Sequence, residues 1–398
     1  MSLAEQPQIA IVGGGIGGMA AAAFLRRAGL RAQVYEQARA LTEVGAGLVV
    51  APNVVKLLRR LDGFPQLLDR AVQLEVGWEF RRWENGQVLS SEPLAEACEQ
   101  LFGERTYTVH RADLLNMLRS SVPESDVHLG RRCRSIDVNG RTTRLHFADG
   151  TTAEADVVIG ADGIHSAFRD IVAEPSAPTE SGLCVYRALV PADSAPAFAR
   201  RRIQSLWLGP GRHLVHYPIA AGTLINLVAF APAPPHAEES WTATSTVEEF
   251  LHEFDGWHPD LVDLIRAGGT PGRSALRDRA PLSRWTKGRV TLLGDAAHAM
   301  LPFFAQGAAQ AIEDAAALAT CLAATPHDPE QALDRYQNLR IERTHRLQAA
   351  SRGRAQANHL PDGPEQQSRD AAMACVDPLR ENEWIYGYDA ESAVHTGL

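Results

Sequence analysis

Near the N-terminus the apolar positions change rhythm twice. An unbroken apolar run, Gln8–Val12, stops at glycines; helical spacing then carries Ile16–Ala28 to Gly29, and a second short run fills Arg31–Glu36. Strand, helix and strand in that order predict parallel strands with helices on their faces. A helix is expected from Pro52-Asn53 to about Leu61, and another over Ala112–Ser121. Val127–Leu129, Arg134–Val138 and Arg144–Phe147 alternate as half-buried strands do, with turns at Asn139-Gly140 and Asp149-Gly150. The run Val157-Val158-Ile159, ending at Gly160, returns the chain to the central sheet.

From Gly182 to about Leu276 the pattern shifts. Strand-like pieces at Leu183–Val190, Ser205–Leu208, His213–Pro218 and Leu224–Phe230 are separated by Pro- and Ala-rich loops, notably Ala231–Pro235. They predict a separate, mostly antiparallel sheet. Arg289–Leu293 then reads as a buried strand, Gly307–Ala323 as a long helix, and Pro329 to about Arg354 as a further helix. Beyond Pro361 only the aromatic cluster Trp384-Ile385-Tyr386-Gly387-Tyr388 stands out, and no internal repeat appears.

Composition narrows the class. The chain has 398 residues, more than one hydrophobic core usually supports, so two closely packed domains are expected. Apolar residues make up 45% and charged residues 22%, the proportions of a folded enzyme. A net charge of -9 argues against nucleic-acid or anionic-membrane partners, which need a basic surface; Arg200-Arg201-Arg202 reads as a solvated loop. The five cysteines are scattered and form no C-x-x-C pair, so neither a disulfide framework nor a metal site is expected. Reduced thiols, no cleavable leader and no long apolar span point to the cytoplasm, as a monomer or homodimer.

Gly13-Gly14-Gly15-Ile16-Gly17-Gly18 satisfies G-x-G-x-x-G between the first strand and its helix. Gly13, Gly15, Ile16 and Gly18 would let backbone N–H groups and the helix N-terminus meet a pyrophosphate. Glu36, at the end of the second strand, stands where a carboxylate accepts ribose hydroxyls. The loop alone does not separate FAD from NAD.

Two further segments do. They are Gly160-Ala161-Asp162-Gly163-Ile164-His165-Ser166-Ala167-Phe168-Arg169 and Leu293-Gly294-Asp295-Ala296-Ala297-His298-Ala299-Met300-Leu301-Pro302, which continues through Gly307 to Asp314. With these the chain resembles the class A FAD-dependent aromatic hydroxylases, in the branch containing salicylate hydroxylase, 3-hydroxybenzoate 6-hydroxylase and 6-hydroxynicotinate 3-monooxygenase. The resemblance runs in order along nearly the whole chain. It implies an α/β (α+β overall) architecture: a Rossmann-like FAD-binding domain over residues 1–180 with 277–360, an inserted antiparallel substrate domain over 181–276, and a C-terminal tail, 361–398, packed on the body. It implies bound FAD, with NADH or NADPH as a transient co-substrate that has no Rossmann fold of its own. Asp295 would bond the ribitol, Arg111 would reach the flavin, Asp162 would link the dinucleotide to the nicotinamide path, and Gly45-Ala46-Gly47-Leu48-Val49 would lie against the flavin ring. A helix starting at Gly307-Ala308 would aim N–H groups at the flavin edge, where reduction places negative charge.

Reduced flavin and O2 give a hydroperoxide that delivers electrophilic oxygen, so the protein must hold a ring, exclude water and make the ring electron-rich. The small aromatic substrate needs a partner for its phenolic proton. In Arg212-His213-Leu214-Val215-His216-Tyr217-Pro218, strand alternation groups His213, Val215 and Tyr217 on one face and puts His216 on the other. The resemblance places Tyr217 in the substrate pocket; either Tyr217 or His213 could serve the phenol. Arg187 could pair with a substrate carboxylate or form a structural salt bridge. Met300, Pro302 and Phe303 would supply an apolar wall. Val49 stands where 6-hydroxynicotinate hydroxylases are expected to carry a histidine base, which shifts the expectation toward salicylate-like or hydroxybenzoate-like rings. His298, three residues after Asp295, suggests a hydrolase triad, but no G-x-S-x-G elbow accompanies it. The alternatives are an FAD epoxidase or tailoring oxygenase acting on a larger neutral substrate, and a catalytically silent flavoprotein.

Overall fold

A computed structural model describes residues 7–40, 46–234 and 243–396. Ile9–Val12 lies at the heart of a six-stranded sheet, paired in parallel with Ala32–Glu36 on one side and Val157–Gly160 on the other. Val290–Leu292 extends it in parallel and Thr286–Lys287 closes that edge antiparallel. Central strands flanked on both sides read as continuous apolar runs because both their faces are covered. The Ile16–Arg27 helix covers one of them and packs against the long Gly307–Ala324 helix.

A second, seven-stranded sheet runs Gly272–Asp278, Thr179–Pro191, Leu224–Pro232, Arg212–Ile219, Ile203–Gly209, Val76–Arg82, Val88–Pro93. It is antiparallel except where Ile203–Gly209 meets Val76–Arg82. One face buries Phe250, Phe254, Leu261 and Ile265 from the helices Val247–Glu253 and Pro259–Ala267. The other turns Val185, Leu206, Val215 and Phe230 toward Leu301 and Phe303 of the first unit. Two smaller three-stranded sheets complete the strands; in one, Gly47–Val50 pairs with Tyr107–His110.

The two outer strands, Val76–Arg82 and Val88–Pro93, come from residues that sequence reading grouped with the FAD-binding part. Their alternation is broken by a bulge: pairing shifts register between Gly77 and Phe80, and Trp78 there has φ of 42°. A bulge adds one residue and so erases the period-two signal. The helices Val247–Glu253 and Pro259–Ala267 are not among the elements the sequence predicts, although Thr246 and Glu249 form a capping box. The helix expected to end near Arg354 continues to Asn358, and the strand expected to end at Phe230 continues to Pro232, so the Ala231–Pro235 loop begins later than anticipated. Pro235 and Gly45 lie outside the described residues. The tail is helical over Pro364–Met373, Glu383–Tyr386 and Ala390–Thr396.

Candidate active site

The glycine turn is built for a close approach. Gly13 has φ of +111°, and a Cβ on it would fall 2.2 Å from the Ala161 carbonyl oxygen, so only glycine fits. Gly18 is equally crowded, against the Gly13 carbonyl, and serves helix–strand packing. Gly15 faces open space at the start of the Ile16–Arg27 helix, which has no side-chain cap, so its first N–H groups are free to meet an anion. Glu36 accepts the N–H groups of Gly14 (2.6 Å) and Ala38 (2.7 Å), which fixes its carboxylate at the mouth of the turn. Asp162 accepts the Ala167 N–H at 2.9 Å through one oxygen; the other is buried without a partner among the described residues, and burial raises the pKa of its carboxyl. A buried carboxylate oxygen left open beside a glycine cradle and an uncapped helix fits a dinucleotide.

Asp295 is exposed at the head of a short helix, Asp295–His298, and lines the same cavity as Arg111, Ala46, Gly47, Gly307 and Ala308. The Gly307–Ala324 helix also lacks a side-chain cap, and Gly307 has open space where a side chain would stand. Its free N-terminal N–H groups supply partial positive charge there. His298 turns away from Asp295, buried and bonded to Asp314 at 2.6 Å, so the two do not form a triad.

The cavity, about 300 Å³, continues onto the inner face of the seven-stranded sheet. Strand register lays its floor in three rungs. Tyr217 faces Asn226; Val215 faces Leu206 and Val228, with Arg187 beyond; His213 faces Leu208 and Phe230, with Val185 beyond. Tyr217 and His213 are four residues apart, roughly 13 Å along a strand. The Tyr217 rung abuts the Gly47–Val50 strand: Asn226 accepts the Gly47 N–H at 2.7 Å, and a Cβ on Gly47 would strike the Tyr217 ring. The loop of Met300, Pro302 and Phe303 covers the floor, with Phe303 5.3 Å from the His213 ring. Val49 and Trp78 close the sides.

Electrostatics divides this chamber. Burial, then the neighbouring Arg111, lower Arg187 to about 10. Burial pushes the Tyr217 phenol up, with Arg187 and Asn226 opposing, so it stays a protonated donor. At the far rung His213 Nδ1 meets His359 Nε2 at 2.7 Å; burial and His359 hold His213 well below its ordinary range, and burial lowers His359 to about 4. Both rings are neutral near pH 7. His216 lies on the opposite face, accepting the Trp207 N–H at 3.3 Å, as alternation requires.

The family described as FAD binding domain matches residues 6–351. The chain belongs to this family. It is an FAD-dependent aromatic monooxygenase. It is 41% identical over 386 residues to a 3-amino-4-hydroxybenzoate 2-monooxygenase of Streptomyces platensis, covering 97% of each chain. It is 37% identical to a 6-hydroxynicotinate 3-monooxygenase of Pseudomonas fluorescens, over 88% of this chain and 91% of that one. A salicylate hydroxylase substrate complex superposes with a TM-score of 0.83 at 27% identity, covering 99% of this chain and 98% of that one.

In this monooxygenase the residues picked out by sequence fall into two clusters joined by one cavity. Val49, Ala46, Gly47, Arg111, Arg187, His213, Tyr217, Asp295, Pro302, Phe303, Gly307 and Ala308 line it. Gly13, Gly15, Ile16, Gly18, Glu36 and Asp162 gather at the glycine turn. Asn226, Gln204, Trp78, Asn358 and His359 were not anticipated. Asn226 and Gln204 carried a signal, polar positions inside apolar strands; Asn358 and His359 carried none, because only the length of their helix brings them to His213. Among the described residues no helix is long and apolar enough to cross a membrane, and no cluster of metal-ligating side chains occurs.

Proposed function

We propose that the enzyme hydroxylates a single carboxylated phenolic ring, of the aminohydroxybenzoate or hydroxybenzoate kind, with NADH or NADPH as reductant. The observation that carries this reading is the polarity of the chamber: Arg187, beside Arg111 and Tyr217, at the cofactor end and a neutral histidine pair at the other. Arg187 and Arg111 both line the cavity, and a carboxylate matches the guanidinium fork. A cavity of about 300 Å³ suits a single ring rather than a larger neutral substrate, so the hydroxylase reading is preferred to an epoxidase.

Gly13, Gly15, Ile16 and the Ile16–Arg27 helix would hold the FAD pyrophosphate and Glu36 the ribose; Gly18 would let that helix pack close. Asp162 would border the dinucleotide. Asp295 and Arg111 would hold the ribitol side, and Ala46, Gly47, Gly307 and Ala308 the flavin ring. Bound there, FAD supplies an electrophilic oxygen derived from O2. The chain's own tasks are orientation, dryness and proton handling. Arg187 and Tyr217 fix the carboxylate end. Val49, Pro302 and Phe303 exclude water over the ring. His213 takes the phenolic proton while its Nδ1 proton passes to His359 across 2.7 Å, and half-exposed His359 returns it to solvent.

The reading is tested by scoring hydroxybenzoates, aminohydroxybenzoates and pyridinols for stimulated NAD(P)H oxidation, with product identification. Carboxylated phenols should stimulate and be hydroxylated. Stimulation by large neutral compounds alone, or by none, would refute it.

A further inference from the structure

Asn358 ends the Pro329–Asn358 helix, is fully buried, and lines the chamber. Neither its Oδ1 nor its Nδ2 has a hydrogen-bond partner among the described residues. An amide with both ends unmet in a folded interior is costly, and a neighbouring cavity makes a ligand the natural partner. Its position is fixed. The next residue, His359, is tied to the sheet twice: through its ring to His213 at 2.7 Å, and through its carbonyl to the Gly211 N–H at 3.1 Å. The amide is therefore presented, pre-oriented, beside the rung where the phenol is proposed to lie.

Its chemistry is specific. Arginine or lysine could offer only donors, and a carboxylate only acceptors; an asparagine offers one of each side by side. The complementary edge on a ring is an acceptor next to a donor. With the carboxylate held by Arg187 and Tyr217, a ring bearing an amino group ortho to its phenolic oxygen presents that edge at the distal end. We propose that Asn358 is a specificity-determining residue that reads an ortho-aminophenol edge, its Oδ1 accepting from the amino group and its Nδ2 donating to the phenolic oxygen. This rests on the carboxylated-phenol reading of the chamber and narrows it to the aminated class.

The test compares binding of 3-amino-4-hydroxybenzoate and 4-hydroxybenzoate to the FAD-loaded enzyme, followed by flavin absorbance, in the wild type and Asn358→Leu. A hydrogen bond whose loss strands a buried group is worth about tenfold or more in affinity. The wild type should prefer the aminated ligand by about tenfold or more. N358L should bring the two within about twofold, chiefly by weakening the aminated one, while its ligand-free Tm stays at or above that of the wild type because an unmet amide is gone. Should N358L not retain FAD, Asn358→Ser carries the same comparison. Equal weakening of both ligands, or no change in either, would overturn the proposal. So would a wild type that hydroxylates both without preference, leaving the hydroxylase reading intact. A wild type that binds no carboxylated phenol would remove both.

Discussion

Two sets of buried polar groups lie about 27 Å apart along the Pro329–Asn358 helix, and they are solved in opposite ways. At Arg340 everything is met. Its guanidinium bonds Asp314 at 2.7 Å, Glu313 at 2.6 Å and Gln310 at 2.7 Å, while Arg343 donates to both Glu313 oxygens, at 2.7 Å and 2.9 Å. Burial alone would lower the Arg340 guanidinium, but Glu313 and Asp314 hold it above its ordinary range. Asp314 also accepts the Gly294 N–H at 3.0 Å, so the cluster braces the turn that presents Asp295. At Asn358, the last residue of the helix, neither amide atom is met among the described residues. The Arg340 guanidinium is completed by its own neighbours, whereas the Asn358 amide faces the chamber with both ends open among the described residues.

The contrast is broken most severely at the closed cluster. Arg340→Met should take the shared cation from Glu313 and Asp314, leaving them to Arg343 and His298, and cost about 3–5 kcal/mol of stability, read by denaturant unfolding of the FAD-loaded enzyme. A loss under 1 kcal/mol would mean the cluster is not a bracing unit.

A half-closed case sharpens the contrast. Glu92 is fully buried, bonded to Asn382 at 3.1 Å and to the Tyr386 hydroxyl at 3.4 Å, yet burial raises its pKa to about 7 against these bonds. The folded state therefore keeps a proton that the unfolded chain, with an ordinary value of 4.5, releases. Stability from this group is present below about pH 4.5 and is lost as pH rises through about 7, by up to about 3 kcal/mol. Glu92→Gln should remove that slope, gaining on the wild type between pH 6 and pH 8; parallel stability–pH curves would contradict it.

On the open side, Asp295→Ala should weaken FAD binding by about 10- to 100-fold, the scale of one hydrogen bond involving a charged group, with little change in apoprotein Tm. Equilibrium titration with FAD reads it, and unaltered affinity would dismiss the assigned role. The smallest effect on folding is expected from Tyr217→Phe. It should keep FAD and stability within about 1 kcal/mol, while a larger share of NAD(P)H oxidation proceeds without product. Full coupling at the wild-type rate would remove Tyr217 from the chemistry.

Legibility in the sequence follows the same division. The glycine turn, Glu36, Asp162 and Asp295 belong to short contiguous segments whose backbone demands are written locally, so they could be named in advance. Alternation along Arg212–Ile219 correctly separated His213 and Tyr217 from His216, because a strand has only two faces. Trp78 escaped because a bulge hides its strand. Asn358 and His359 escaped because their meaning depends on where a 30-residue helix ends in space. The hydrolase triad that His298 and Asp295 suggest, already set aside for want of a G-x-S-x-G elbow, is also excluded by geometry: the short helix that begins at Asp295 turns His298 inward, onto Asp314.

The proposed function requires that a carboxylated phenol in the chamber between Tyr217 and His213 receives one atom of oxygen. Turnover of 3-amino-4-hydroxybenzoate and of 4-hydroxybenzoate under isotopically labelled O2, followed by mass spectrometry of the ring products, tests this most directly. The account predicts a hydroxylated ring carrying a single labelled oxygen from at least one of the two. Unlabelled product, or reductant consumed with only hydrogen peroxide formed from both, would contradict it.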